Sequence, residues 1–243
     1  MADAAQALGL DRRSTALKLG SLTRKGWLLR ARQGIYSILP LEAEPGKLTT
    51  PHDPWLLAQE AFSPCYIGGW SAAEYWGLTE QIFRSIFVIT AAPVRSKSIK
   101  LLGQEFRLFR VPKTRVAIDT TVWRGSAKVK VSSRERTIVD CLRNTELSGG
   151  IRHLVPMMQE YASIPEHDFS KLLKEASSAN SGAVWKRLGY LTELLWPEQV
   201  EIINEAARNL STGTIKLDPL VRTHGKLLKR WRLWINVDVM RHD

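Results

Sequence analysis

The sequence predicts an α+β protein, and three observations carry that expectation. Helical periodicity and strand alternation fall into separate blocks: helix then hairpin over 1–38, short strand runs over 84–131, and helical patterns over 151–209. Gly- and Pro-bearing breaks separate the blocks, at Pro40–Thr50 and at Leu147-Ser-Gly-Gly150. With 243 residues, 44% of them hydrophobic and 24% charged, the chain can bury the cores of one or two domains with a small appendage. The division expected is 1–39, a linker at 40–50, a mixed α/β domain at 51–145 and a mainly helical part at 146–243.

Ala2–Leu8 reads as a short helix with Ala4, Ala5 and Leu8 on one face. Gly9 supplies a turn and Leu10 a plug for a core. Asp11 suits the N-cap of a helix from Arg12 to about Lys25, in which Thr15/Ala16, Leu19 and Leu22 recur at helical spacing before Gly26 ends it. Its other face presents Arg13, Ser14, Lys18 and Ser21, with Arg12 at the N-terminus. Two β runs, Trp27–Arg30 and Ile35–Ile38, then flank the tip Ala31-Arg32-Gln33-Gly34 as a hairpin.

Short helix, tight turn, polar-basic helix and basic hairpin together make a winged helix-turn-helix, whose second helix lies in the major groove. The Arg, Ser and Thr at that helix's start would reach base edges and phosphates, and a wing with Arg30 and Arg32 would meet the backbone or the minor groove. A small module using Arg for solubility explains the apolar spacing equally well, though not the basic outward residues on both helix and hairpin. A winged helix ordinarily has one more helix before the first one seen here. The motif therefore reads as lacking it, with either a start upstream of Met1 or the rest of the chain covering that face.

Asp53 and Pro54 open a helix through Trp55, Leu56, Ala58 and Phe62. Cys65-Tyr66-Ile67 leads to Gly68-Gly69-Trp70, and Ser71 to Glu74 reads as a capping box. Strands are expected at Ile86–Thr90, Ser98–Leu102, Phe106–Val111, Thr120–Trp123 and Lys128–Val131, followed by a second capping box at Ser132–Glu135 that starts a helix through Leu142. The sheet is expected to be basic on one face, formed from Lys97, Lys100, Arg107, Arg110, Lys113, Arg115, Arg124, Lys128 and Lys130, or else merely solvated there. Beyond 150, helices are expected over Ile151–Ala162, His167–Ser177, Val184–Leu195 and Glu198–Asn209, with strands at Thr212–Leu217 and Leu233–Val239. Trp185, Trp196, Trp231 and Trp234 suit core filling, stacking on nucleobases being the alternative. Lys226–Arg232 is a second candidate phosphate contact or a solvated tail.

The net charge of +11 is unevenly spread. Residues 1–38 carry 7 basic and 2 acidic groups, 84–136 carry 13 and 3, and 222–243 carry 6 and 2, while the intervening blocks are acidic. Such concentration predicts polyanion-binding patches rather than a uniformly solubilised surface.

Three segments, Arg24–Tyr36, Tyr66–Leu78 and Ser133–Leu142, taken in order, resemble the AbiEi antitoxins of abortive-infection, type IV toxin–antitoxin pairs. The resemblance covers roughly residues 1–145 and is only general beyond 150. It implies a cytoplasmic protein whose winged helix binds inverted repeats in its own promoter and represses the operon. It also implies that the C-terminal region antagonises a nucleotidyltransferase toxin without a stable complex and supports cooperative DNA binding. Carried over by position, the DNA readers would be Arg12, Arg13, Ser14, Thr15 and Lys18, with Arg30, Arg32 and Gln33 as the wing.

Other classes fare worse. The longest apolar run, near Ser85–Val94, is about ten residues, so no membrane span is expected, and no signal peptide is read at the N-terminus. Cys65 and Cys141 read as buried thiols rather than a disulfide, and scattered histidines without CxxC argue against zinc. Neither a cofactor nor a catalytic residue is expected. Gly68-Gly69-Trp70-Ser71 is faintly like a nucleotidyltransferase phosphate loop, but no DxD pair accompanies it. Nuclease spacing is absent, since Glu105 and Asp119 have no fitting partners. An RNA-binding protein using Phe106 and Phe109 on the basic sheet is the remaining alternative, ahead of a nucleotidyltransferase or nuclease.

Overall fold

The computed structural model describes residues 2–32, 35–38, 53–118, 120–125 and 127–239. The expected linker at 40–50, Gln33 and Asp119 lie outside them. The chain is a mixed α+β protein that packs as two units, Met1–Tyr66 with Arg84–Lys130, and Ile67–Phe83 with Val131–Asp243.

In the first unit, helices α1 (Ala2–Leu8) and α2 (Arg12–Arg24) precede an antiparallel hairpin of β1 (Leu28–Arg32) and β2 (Ile35–Ile38). The Asp11 carboxylate accepts from the Arg13 and Ser14 amides at 2.8 and 3.1 Å and from the Ser14 hydroxyl at 2.5 Å, so the donors that open α2 are satisfied. Both helices end on glycine. At Gly9 and Gly26 φ is +61° and +77°, and the Leu10 and Trp27 amides reach back to the Ala5 and Leu22 carbonyls.

Helix α3 (Pro54–Phe62), capped by Asp53, lies on a four-stranded sheet of order β3-β4-β6-β5. Its strands are β3 (Cys65–Ile67), β4 (Ser85–Thr90), β5 (Ser98–Leu101) and β6 (Gln104–Arg110), with β4 parallel and β5 antiparallel to β6. Phe62 of α3 packs on the buried Phe106 with ring centroids 5.4 Å apart, and the Thr90 hydroxyl donates to the Phe62 carbonyl at 2.6 Å. A separate two-stranded ribbon, β7 (Thr121–Arg124) and β8 (Ala127–Lys130), packs against α3 through β8. The expected single sheet is thus two.

The second unit is built around helix α5 (Arg134–Arg143), which packs against α4 (Gly69–Tyr75), α6 (Ile151–Ser163), α7 (Phe169–Ser178) and α8 (Gly182–Leu195). Helix α9 (Val200–Arg208) pairs with α8, and a three-stranded sheet follows, ordered β10-β11-β9 with β9 (Ile215–Lys216), β10 (Lys226–Leu228) and β11 (Leu233–Ile235). The expected boundary at 145/146 differs from this division. Ile138, Val139, Cys141 and Leu142 give α5 an apolar surface that only a surrounding layer of helices covers. Two further corrections concern caps. Helix α4 starts at Gly69, two residues before the expected box, so Ser71 is inside the helix and buried. At α5 it is Ser133 that caps, accepting from the Arg136 amide at 3.1 Å, while Glu135 is buried and accepts from the Tyr161 hydroxyl at 3.3 Å.

The polar interior is organised by Arg187 of α8. It is 3% exposed and donates to the Leu142, Arg143, Lys216 and Leu217 carbonyls at 2.7–3.4 Å. Two of those carbonyls belong to the last turn of α5, where no intrahelical donor remains. Burial lowers its pKa to about 10, which leaves it charged at neutral pH. Asp218 does the converse. It accepts from the Ile151 amide at 2.8 Å and so opens α6, whose cap position, Gly150, has no side chain.

Two expectations follow. A Cβ on Gly189 of α8 would fall within the indole of Trp231, which is fully buried with its Nε1 held by Glu193. Gly189→Ala is therefore expected to lower stability by about 1–3 kcal/mol, read from urea midpoints, despite alanine's better helix propensity. Both cysteines are free and buried, and burial raises the Cys65 pKa from 9.0 to about 12. A folded value above the unfolded one gives stability that is complete below about pH 9 and lost as pH rises towards 12. Unfolding midpoints should fall across that window, less steeply in Cys65→Ala, and neither native thiol should react with a thiol reagent at neutral pH.

Candidate nucleic-acid interface

On α2 the apolar stripe and the polar face separate as helical spacing requires. Thr15 and Leu19 are buried; Arg12, Arg13 and Lys18 are exposed; Ser14 and Ser21 are half-buried. Thr15 is a correction to the expected reading set. It is 0% exposed and its hydroxyl donates to the Leu10 carbonyl at 3.4 Å, so it belongs to the packing face. The Ser14 hydroxyl is taken by Asp11, and that contact, ahead of the Ser14 and Arg13 amides, holds the Asp11 carboxyl below the usual carboxylate range.

The outward rows carry three further exposed residues, Leu17, Arg24 and Lys25, beyond those expected. Arg24 continues the row of Arg13, and Lys25 that of Ser14, Lys18 and Ser21; both are exposed. Leu17 lies between Arg13 and Arg24 on the same face and is 69% exposed. The i, i+4, i+7, i+11 arithmetic that found Lys18 and Ser21 would have found all three. Leu10, expected to plug a core, is 39% exposed instead.

In the hairpin, Leu28 pairs with Ile38 and Arg30 with Tyr36, and a bulge between Arg30 and Arg32 brings Arg32 opposite Ile35. Leu28 is buried and Arg30 exposed, as alternation along a one-sided strand demands.

The expected second basic patch does not form a single face. On β6, alternation places Arg107 and Arg110 on opposite sides of the sheet, Arg110 on the side of Phe106 and Leu108. The Arg107 guanidinium lies over the Phe87 ring at 5.3 Å, and Lys100 stands opposite Glu105 in the register. Lys97 is exposed and precedes β5, Lys113 is exposed and Arg115 half-buried in a short 3-10 turn, and Lys128 and Lys130 belong to the ribbon. The aromatic pair weighed for RNA is also corrected. Phe106 is buried and Phe109 stacks on Phe87 at 5.6 Å, so neither offers a free ring face to a base.

The ribbon sorts its residues by face. Arg124 turns inward, its Nε 2.7 Å from Asp53 Oδ2 and its guanidinium 4.8 Å from the Trp55 ring, while Val122 and Val129 are buried. Thr121, Trp123, Lys128 and Lys130 all point outward and are exposed.

The C-terminal basic stretch is divided: Lys226 and Lys229 are exposed, whereas its two arginines are engaged within the unit. Arg230 pairs with Glu193 at 2.7 Å, and Arg232 donates to the Ser211 carbonyl at 2.8 Å. Trp185, Trp196 and Trp231 fill core as expected, and Trp234 is half-buried beside His224.

Among the described residues no group of three or more His, Cys, Asp and Glu is placed to hold a metal ion. The Gly68–Ser71 segment is buried, and a Cβ at Gly69 would meet the Leu147 carbonyl at 2.8 Å, so a phosphate has no room there. A groove of about 490 Å³ over Phe62, Thr90, Ile99 and Leu108 has Arg95 as its only charged lining residue, which supplies no base for a nucleophile. Nor is any helix among the described residues long and apolar enough to cross a membrane.

The sequence matches no protein-family model and no curated relative. By structure, the chain is similar to the RV2827C protein of Mycobacterium tuberculosis, with a TM-score of 0.58 and 17% identity over 94% of this chain and 81% of that one. At that identity the likeness is one of fold, a mixed α+β architecture held in common.

Proposed function

We propose that this protein is a DNA-binding antitoxin that represses its own toxin–antitoxin operon and antagonises a nucleotidyltransferase toxin without a stable complex. One observation carries the DNA-binding half: a helix capped by Asp11 turns Arg12, Arg13, Lys18, Arg24 and Lys25 outward and is followed by a hairpin with Arg30 exposed. Two helices joined by a glycine turn, then a β-hairpin, is the element order of a winged helix-turn-helix in which α2 enters the major groove and the hairpin is the wing. Arg13, near the helix start, is then the candidate for a bidentate contact to guanine, Lys18, Arg24 and Lys25 neutralise phosphates, and Leu17 suits a thymine methyl.

The antitoxin half rests on the resemblance of Arg24–Tyr36, Tyr66–Leu78 and Ser133–Leu142 to the AbiEi antitoxins. In this reading the protein is cytoplasmic, takes no cofactor and catalyses nothing, and it acts on the toxin's effects rather than by holding the toxin.

Fluorescence anisotropy with the duplex upstream of the protein's own gene, against a scrambled duplex at several salt concentrations, tests the reading. A preference for the native duplex that persists as salt rises is expected; equal binding that collapses with salt reduces the basic residues to phosphate contacts. Arg13→Ala should cost about 1–3 kcal/mol on the native duplex. Thr15→Val, confined to the packing face, should leave that affinity unchanged. Co-expression with the neighbouring gene's product tests the antitoxin half: growth should be rescued with no co-purifying complex.

A further inference from the structure

We propose that the outer face of the β7–β8 ribbon binds single-stranded nucleic acid, stacking an unpaired base on Trp123 while Lys128 and Lys130 meet the flanking phosphates. This proposal is independent of the operator reading, which concerns α2 and the first hairpin.

Trp123 is 66% exposed, the most exposed of the nine tryptophans. An indole left in water forgoes a large burial gain, and its neighbours show that nothing in the ribbon's folding requires this placement. Val122 and Val129, one residue away on each strand, are buried and hold the ribbon to its unit.

Register then fixes what accompanies the ring. Trp123 stands opposite Lys128 and Thr121 opposite Lys130, so all four side chains share one face. Lys128 Nζ lies 5.0 Å from the Trp123 ring centroid. No carboxylate occurs between Thr121 and Lys130 in the sequence, and the nearby Asp53 is neutralised by Arg124 on the opposite face. The outer face therefore presents one aromatic surface flanked by positive charge and a hydroxyl.

That combination selects the occupant. An acidic peptide would satisfy the lysines and leave the indole without a partner. An apolar protein surface would cover the indole and strand two ammonium groups. A duplex hides its π-faces within the stack. A single strand supplies an open π-face and a phosphate for each nucleotide, which is the pairing of groups the ribbon offers. The face is also pre-organised. Arg124 bonds Asp53 and stacks over Trp55, and the Lys130 amide donates to Gln59 Oε1 at 3.1 Å, so little ordering accompanies binding.

The test is anisotropy of the full-length protein with labelled oligo(dT) and oligo(U) of about fifteen nucleotides, which spans the usual single-strand site sizes. A duplex of equal length and the operator duplex serve as parallel probes. Trp123→Ala should weaken single-strand binding about 5- to 100-fold and leave both duplex affinities within about twofold. Trp123→Phe, which keeps a stacking ring and guards against a folding artefact, should retain most of the affinity. Lys128→Glu/Lys130→Glu should weaken binding and flatten the salt dependence, each lost phosphate contact lowering the slope by about 0.7. Unchanged single-strand affinity in Trp123→Ala overturns the proposal. So does an equal loss on all four probes, or displacement of oligo(dT) by poly-glutamate as readily as by unlabelled strand. Loss of operator preference alone, with single-strand binding intact, bears on the operator reading and not on this one.

Discussion

A guanidinium sealed inside the second unit is the constraint around which its helices are arranged. Arg187 emerges from α8 and spreads its donors over the carbonyls that end α5 and over those of Lys216 in β9 and Leu217 just after it. Each carbonyl left without a donor in that interior would cost about 1–3 kcal/mol, and an unpaired buried charge more. The arrangement is stable only when helix end, strand and guanidinium are present together. Asp218 extends it: its carboxylate opens α6 and receives the Thr145 hydroxyl at 3.2 Å, while Asn236 bonds its backbone at both N–H and C=O. Opposite charges thus sit at a helix C-terminus and a helix N-terminus, each where the local dipole favours it.

The same device, at smaller scale, prepares the candidate binding surfaces in the first unit. Asp11 closes the start of α2 through the Arg13 and Ser14 amides, and the Arg12 and Arg13 side chains beside it are exposed. Arg124 spends its charge on Asp53 and Trp55, tying the ribbon to the start of α3. What remains outward, Lys128, Lys130 and Trp123, is what the framework does not consume. The basic residues therefore divide into two populations. Arg124, Arg136, Arg187 and Arg230 are locked against carboxylates or carbonyls, whereas Arg12, Arg13, Lys18 and Arg30 are exposed. The net charge of +11 already cancels the pairs with carboxylates, but it still counts Arg187, whose charge is spent on buried carbonyls.

Much of the framework was legible because its signals are local. Asp11 and Asp53 as caps and Gly9 and Gly26 as terminators depend on neighbours within five residues and appear where the spacing placed them. So does the second run of the first hairpin, while the first run extends through Ala31 and Arg32, which were expected in the tip. Legibility ended where sequence proximity and spatial proximity part. Helical spacing already set Thr15 with Leu19 and Leu22 on the packing face, and only its carry-over by position as a DNA reader turned it outward, one helical step of about 100° away from where it is buried. The nine lysines and arginines gathered onto one basic sheet face were separated by strand order, since Lys128 and Lys130 pair with β7 and not with β6. Phe106 and Phe109 resemble a stacking pair in the sequence, and only the structure shows both as core, Phe106 against Phe62 of α3 and Phe109 against Phe87 of the neighbouring strand.

By itself the sequence determined the α+β class, the start and end of most helices, the charge blocks and the outward rows of α2, because these follow from side-chain chemistry at fixed local spacing. The tertiary structure alone decided that α5 belongs with the helices after it, that Arg187 and Asp218 are interior, and that Trp123 stays in water while most other tryptophans pack inward. Those outcomes depend on which surface another element covers. Burial is settled by contacts between residues as far apart in sequence as Leu142 and Arg187, and no local pattern carries that information.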